Sequence, residues 1–150
     1  MQFTCRIHGR PAPQGSKDVG RRGQTIEQSV YLPAWLAAIK RDVFRSYKDR
    51  GLSPTALPFF PAGSAVVLEA VTFFVDVGQC RAAGTDLPIE KPDVDKLLRA
   101  LLDGLGGNRK GNARLYADDS QVIKINNLSK QRATDGSGPG AFIVARDWES

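Results

Sequence analysis

One histidine, two cysteines and one methionine in 150 residues exclude several chemistries at once. A Ser–His–Asp or Cys–His mechanism would rest wholly on His8, and no nucleophile motif accompanies it. A zinc site lacks its nitrogen and sulfur ligands. Cys5 and Cys80 show no metal spacing and are too few for a disulfide framework, so free, partly buried thiols are expected. No apolar run reaches the roughly 20 residues of a membrane span. The opening Met1-Gln2-Phe3-Thr4-Cys5-Arg6 lacks the charged-then-apolar order of a signal peptide. A cytoplasmic protein with no membrane partner is expected. Neither a GxxxxGK[ST] loop nor a GxGxxG after a strand is present, which removes the common phosphate cradles.

What remains is ordinary for a globular chain: 41% hydrophobic and 25% charged residues. The length suits one domain over residues 1–150. The net charge is +5, from 21 Lys and Arg against 16 Asp and Glu. A basic balance favours polyanionic partners, because Lys and Arg displace counterions from phosphate. The acids are unevenly spread: Asp93, Asp95, Asp103, Asp118 and Asp119 fall in two short stretches. Acid concentrated in a basic chain calls for a local explanation.

The pattern predicts an α+β fold, a mixed sheet with two main helices packed on it, in the order β-α-β-α-β-β. Phe3, Cys5 and Ile7 alternate with polar residues, as in a half-buried strand. The proline-containing stretch Gly9 to Lys17 ends it, and a basic, glycine-rich loop with Lys17, Arg21 and Arg22 follows. Gln24 to Tyr31 is ambiguous, with a short strand possible. Pro33 suits the first turn of a helix. From Leu32 to Arg50, Trp35, Leu36, Ile39, Val43, Phe44 and Tyr47 form a helical apolar stripe. Lys40, Arg41, Arg45, Lys48 and Arg50 occupy its other side, and Gly51 is a natural stop. Ala65 to Val77 is the strongest strand, apolar enough to be central and covered on both faces, with Glu69 its one internal charge. Gln121 to Leu128 and Ala141 to Trp148 read as strands joined by a glycine turn, a hairpin with a longer loop.

The stretch Lys91-Pro92-Asp93-Val94-Asp95-Lys96-Leu97-Leu98-Arg99-Ala100-Leu101-Leu102-Asp103-Gly104-Leu105 predicts an amphipathic helix. Leu97, Leu98, Leu101, Leu102 and Leu105 make one apolar stripe; Asp95, Arg99 and Asp103 make a polar one. Asp93 and Asp95 sit where the helix starts. Capping, the helix dipole and an Asp95–Arg99 ion pair account for them without any function. The adjacent pair Asp118-Asp119 is not covered by that account, since neighbouring acids beside a strand repel and have poor strand propensity. Magnesium supplies a reason to keep them. It is a hard ion that takes a few carboxylates, waters and a phosphate, and it can activate water against a phosphodiester. A magnesium phosphodiesterase and a non-catalytic nucleic-acid binder both fit these residues.

The same two blocks, Lys91 to Leu105 and then Leu115-Tyr116-Ala117-Asp118-Asp119-Ser120-Gln121-Val122, resemble the RusA family of Holliday junction resolvases. That family shows PD-x-DN-x-x-K-x-x-x-D-x-L, then a loop, then DD-x-QV leading into a strand. The resemblance implies a homodimeric, magnesium-dependent endonuclease that nicks four-way DNA junctions, with a junction-binding module lacking catalysis as the alternative. By position it implies Asp93, Asp95 and Asp119 as metal-binding and catalytic carboxylates, with Asp118 as neighbour or helper. Asp103 matches a later helix aspartate with a structural role. Two positions depart from the pattern: Lys96 stands for the family's Asn, and Arg99 for its helix Lys. Arginine keeps the charge and can stabilise a transition state, but it cannot donate a proton. Lys17, Arg21, Arg22, Lys91, Lys96, Arg109, Lys110, Arg114 and Lys130 are the expected contacts to the DNA backbone.

Overall fold

Alternation of apolar and polar residues makes β1 (Gln2–His8) a half-buried strand, with Phe3, Cys5 and Ile7 facing inward. A two-stranded ribbon follows, β2 (Lys17–Val19) with β3 (Thr25–Glu27), paired antiparallel. Then come α1 (Leu32–Asp49), β4 (Val66–Val75), α2 (Val94–Leu105), a 3-10 turn at Asp119–Gln121, β5 (Val122–Ile125), β6 (Leu128–Arg132) and β7 (Gly140–Asp147). This computed structural model describes residues 1–15, 17–19, 25–27, 30–53, 58–76, 85, 87–106, 113–134 and 136–149, with the backbone alone for 17–19 and 25–27.

The main sheet has five strands and is mixed. β4 lies between β7, which is antiparallel to it, and β5 and β6, which run parallel to it one after the other. β1 pairs with the far side of β7. The expected α+β class and element order hold, with β2 and β3 added. The expected hairpin between the last two strands does not form. β4 separates β6 from β7, because its nearly continuous apolar run is buried best in the middle. The predicted strand Gln121 to Leu128 is broken in two at Asn126 and Asn127. Asn127 adopts φ 49°, a left-handed conformation Asn tolerates, and its side chain donates to the Glu69 carbonyl (2.9 Å). That break faces a register shift of β4 against β7 between Leu68 and Ala70.

Both helices contribute to one core on the inward side of the sheet. Leu97, Leu101 and Leu105 of α2 are fully buried, each worth about 1.5–3 kcal/mol. α1 packs on β1 and on α2, and α2 therefore lies nearer the β5–β6 edge. At the helix crossing Gly104 is essential for close approach: a Cβ there would stand 2.7 Å from Ile39 Cδ1. The α1 stripe differs from expectation in two places. Phe44 is exposed, and Asp42 occupies a buried position between Ile39 and Val43.

Candidate functional site

α2 positions the first acidic block. Asp93 is its N-cap residue, yet its carboxylate makes no capping bond. It pairs instead with Lys96 one turn on (3.4 Å), while the expected Asp95–Arg99 pair is not formed. Asp93, Asp95 and Arg99 are all exposed. The turn before the helix is held by Lys130, whose ammonium donates to the carbonyls of Glu90 (2.7 Å) and Pro92 (2.9 Å). Lys130 stands opposite Phe73 in the parallel register, which brings it across the sheet edge to this turn. Its ammonium, expected at the DNA backbone, thus braces this turn.

The second block is built at the other end of α2. Leu115 N donates to the Leu105 carbonyl (2.7 Å), and the Tyr116 hydroxyl donates to the Leu102 carbonyl (2.6 Å). This ties residues 113–116 to the helix C-terminus. Asp118 then caps the 3-10 turn. Its carboxylate accepts from Ser120 N (2.8 Å), and the Gln121 side chain accepts from the backbone of Ala117 (2.8 Å) and Asp118 (3.0 Å). The Gln121 amide also donates to the carbonyls of Pro61 (2.9 Å) and Ser64 (3.0 Å). Capping therefore does explain Asp118, contrary to the sequence reading. The Asp-x-x-Gln spacing of a capping box was the signal that would have found this.

Asp119 has no such account. Its carboxyl, though exposed, is pushed above the usual range by partial desolvation, by repulsion from Asp118, by a hydrogen bond shared with it, and by repulsion from Asp103; only the Ser120 N–H opposes. Asp118 is held below the usual range, chiefly by the Ser120 N–H. Burial pushes the Tyr116 phenol well up, and repulsion of its charged form by Asp119, Asp103 and Asp118 adds to this. Small residues (Ala62, Gly63, Ser64, Ala65, Ala117) leave an open depression of about 420 Å³ against Asp118 and Ser120.

The first and second blocks do not meet within one chain. α2 has 12 residues, roughly 18 Å of helix, with Asp93 at one end and the Asp118–Asp119 turn packed at the other. The β4 register agrees. Val122 lies opposite Val66, whereas Lys130, next to residues 90 and 92, lies opposite Phe73. Among the described residues no three His, Cys, Asp or Glu side chains stand close enough to hold one metal ion. The acids the structure gathers are Asp103, Asp118 and Asp119. Asp93, Asp95 and Asp119, the expected ligands of one ion, are not brought together by the described residues of one chain.

Between the two ends the proline-containing loop after β1 lies along the polar side of α2. Pro11 and Ala12 are buried, Gln14 N donates to the Lys96 carbonyl (3.1 Å), and the Gln14 amide donates to the Asp103 carboxylate. Gly15 sits against the Arg99 guanidinium. Asp103, expected in a structural role by the resemblance, is thus bonded by Gln14. Glu69 stays apart from the acids: Arg146 (2.6 Å) and Asn126 (3.4 Å) bind it, and its carboxyl is held below the usual range, first by the Arg146 hydrogen bond. His8 contributes its backbone, donating to Asp42 (2.8 Å) and accepting from Arg41. Cys5 is buried, and burial pushes its thiol up to about 11, as suits an inert core residue.

Of the expected DNA contacts, Lys91 is exposed and Lys96 and Arg114 are half-buried; the Arg114 carbonyl accepts from the Tyr47 hydroxyl. Lys17 lies in β2, where only the backbone is described. Arg21, Arg22, Arg109 and Lys110 lie outside the described residues. No helix of the described residues is long and apolar enough to cross a membrane. No protein-family model matches this chain, and no curated protein matches it.

Proposed function

We propose that the chain is a magnesium-dependent endonuclease that resolves four-way DNA junctions as a homodimer, in the manner of the RusA family it resembles. The observation that carries the reading is Asp119: an exposed carboxylate set beside Asp118 and Asp103, its charge unrelieved by any cation among the described residues. Asp93 and Asp95 form a second exposed acidic place that capping does not use. One chain does not supply a three-carboxylate ion site from its described residues, so the reading requires two copies. One copy brings Asp93 and Asp95, and the other brings Asp119 with Asp118. Among the described strands, β5 and β6 have β4 on one side and no strand on the other. Two such edges related by a two-fold axis run antiparallel, which sets the Asp119 end of one copy beside the Asp93 end of its mate.

Magnesium bound there supplies a hard cation that polarises the phosphodiester and activates water. The carboxylates of Asp93, Asp95 and Asp119 are the oxygen donors. Arg99, on the polar side of α2, adds positive charge where negative charge develops on phosphate. Lys91 and Lys96 lie beside the same helix start and face the backbone of the bound strand. The test is nicking of a mobile four-way junction with and without Mg²⁺. Asp95→Asn and Asp119→Asn are each expected to abolish cutting while leaving binding intact. Parent-like cutting by both variants refutes the reading. A second reading, a junction-binding module without catalysis, draws on the same lack of a one-chain ion site. It predicts tight binding and no cutting with either Mg²⁺ or Mn²⁺.

A further inference from the structure

α1 carries Lys40, Arg41, Arg45 and Lys48 against two acids, Asp42 and Asp49. Asp42 is 2% exposed and is the buried charged group of the described chain. It holds two guanidiniums at once, Arg41 (2.9 Å) and Arg45 (3.3 Å), and accepts the His8 N–H (2.8 Å). One guanidinium balances the carboxylate. The second leaves the cluster positive, and both arginines stay open to solvent, at 51% and 59% exposure. An ordinary surface arginine must give up rotamer freedom when it binds phosphate; these two are already fixed from below. Lys48 follows, with its ammonium over the exposed ring of Phe44 (5.1 Å). Arg41, Arg45 and Lys48 advance along the helix by roughly 6 and then 4.5 Å, a ridge of about 10 Å. Successive phosphates of one strand advance about 3.4 Å along a duplex, so the ridge spans about three of them.

We propose that this ridge of α1 is a second contact surface for the DNA backbone, gripping an arm of the substrate away from the acidic site. The inference rests on DNA being the partner, as in the reading above, but not on catalysis. α1 packs on β1, the sheet edge opposite β5 and β6. In a dimer joined at the β5–β6 edges the two ridges fall on the outer flanks. A branched substrate has arms there to meet them, which a single short duplex does not.

The test is junction binding without divalent metal, measured over a series of salt concentrations. The double variant Arg45→Gln/Lys48→Gln keeps the Arg41–Asp42 pair, so no buried charge is orphaned. Its affinity is expected to fall on the order of tenfold, and its log–log salt slope to shrink by about 1.8, two phosphate contacts' worth. Charge-keeping Arg45→Lys/Lys48→Arg is expected to bind with the parent slope. A parent-like slope in the double variant, a shrunken slope in the charge-keeping variant, or no junction binding by the parent chain overturns the proposal. The nuclease reading is judged separately, since cutting at saturating DNA is expected to survive in the double variant and to vanish in Asp119→Asn.

Discussion

If each ion site takes Asp93 and Asp95 from one copy and Asp119 from the other, two inactive variants must rescue one another. In Asp95→Asn homodimers both sites carry the altered residue, and the same holds for Asp119→Asn homodimers. In a mixed dimer one site collects both substitutions and the other collects neither. Random exchange of equal amounts makes half of the dimers mixed, each with one intact site of two, so about a quarter of the parent's sites return. The magnitude follows from distance. Along α2, Asp95 and Asp93 lie roughly 12–15 Å from Asp103, the residue Asp119 stands beside, whereas one ion's oxygen ligands lie within about 5 Å of each other. No rotamer of Asp119 spans that gap. The assay is single-turnover nicking of a labelled four-way junction by each variant alone and by the exchanged mixture. The product is expected to be a nicked junction instead of paired cuts, since the mixed dimer cuts one strand only. The three carboxylates are exposed, so the substitutions themselves are expected to cost less than about 0.5 kcal/mol of stability. A mixture as inactive as its parts refutes the shared site and returns all three carboxylates to one chain.

Other outcomes follow from the packing. Gly104→Ala gains about 1 kcal/mol of helix propensity but drives a methyl into Ile39, for an expected net loss of about 1–2 kcal/mol in urea unfolding; adding Ile39→Val should recover part of it. Asp42→Asn removes the charge that ties Arg41, Arg45 and the end of β1 together, and about 1–3 kcal/mol is the expected cost. Burial works to raise the Asp42 carboxyl, but the Arg41, His8 and Arg45 contacts outweigh it and hold it below the ordinary 3.8. Its stabilisation is therefore complete above about pH 5, begins to fall as pH approaches 3.8 and is lost as pH drops through the folded-state value, so parent and Asp42→Asn unfolding curves should converge in acid. Lys130→Met removes two hydrogen bonds to the turn before α2. It should slow nicking at saturating junction more than it weakens binding, whereas a plain backbone contact would show the reverse.

The sheet and both helices were readable because period-2 and period-3.6 patterns record which side of each element is buried. Phe3, Cys5 and Ile7, or Leu97, Leu101 and Leu105, leave no other orientation. Strand order was not readable. β6 and β7 are neighbours in sequence, but the most apolar strand takes the centre and separates them, a decision made by the whole sheet. Asp42 was hidden for a related reason. Beside Lys40 and Arg41 it looks like part of a solvated face, yet it stands at i+3 from Ile39, within the buried stripe.

The acidic residues show where sequence and structure part. From the sequence, capping accounts for Asp93 and Asp95 and leaves the Asp118-Asp119 pair over. In the fold Asp93 makes no cap, while Asp118 caps its turn through Ser120 and Gln121. The residue left without a structural task in the second block is Asp119 alone, and in the first block Asp95 joins it, exposed and paired with no cation among the described residues. Carboxylates that neither cap nor pair lower the stability of a chain by mutual repulsion, most of all where Asp103 and Asp118 already crowd Asp119. A cation that binds the folded dimer and not the unfolded chain reverses that sign. Millimolar Mg²⁺ should therefore raise the melting temperature of the parent more than that of Asp119→Asn, and without added metal Asp119→Asn should be the more stable of the two. Equal Mg²⁺ shifts in both proteins would remove Asp119 from the ion site, whatever the nicking assay shows.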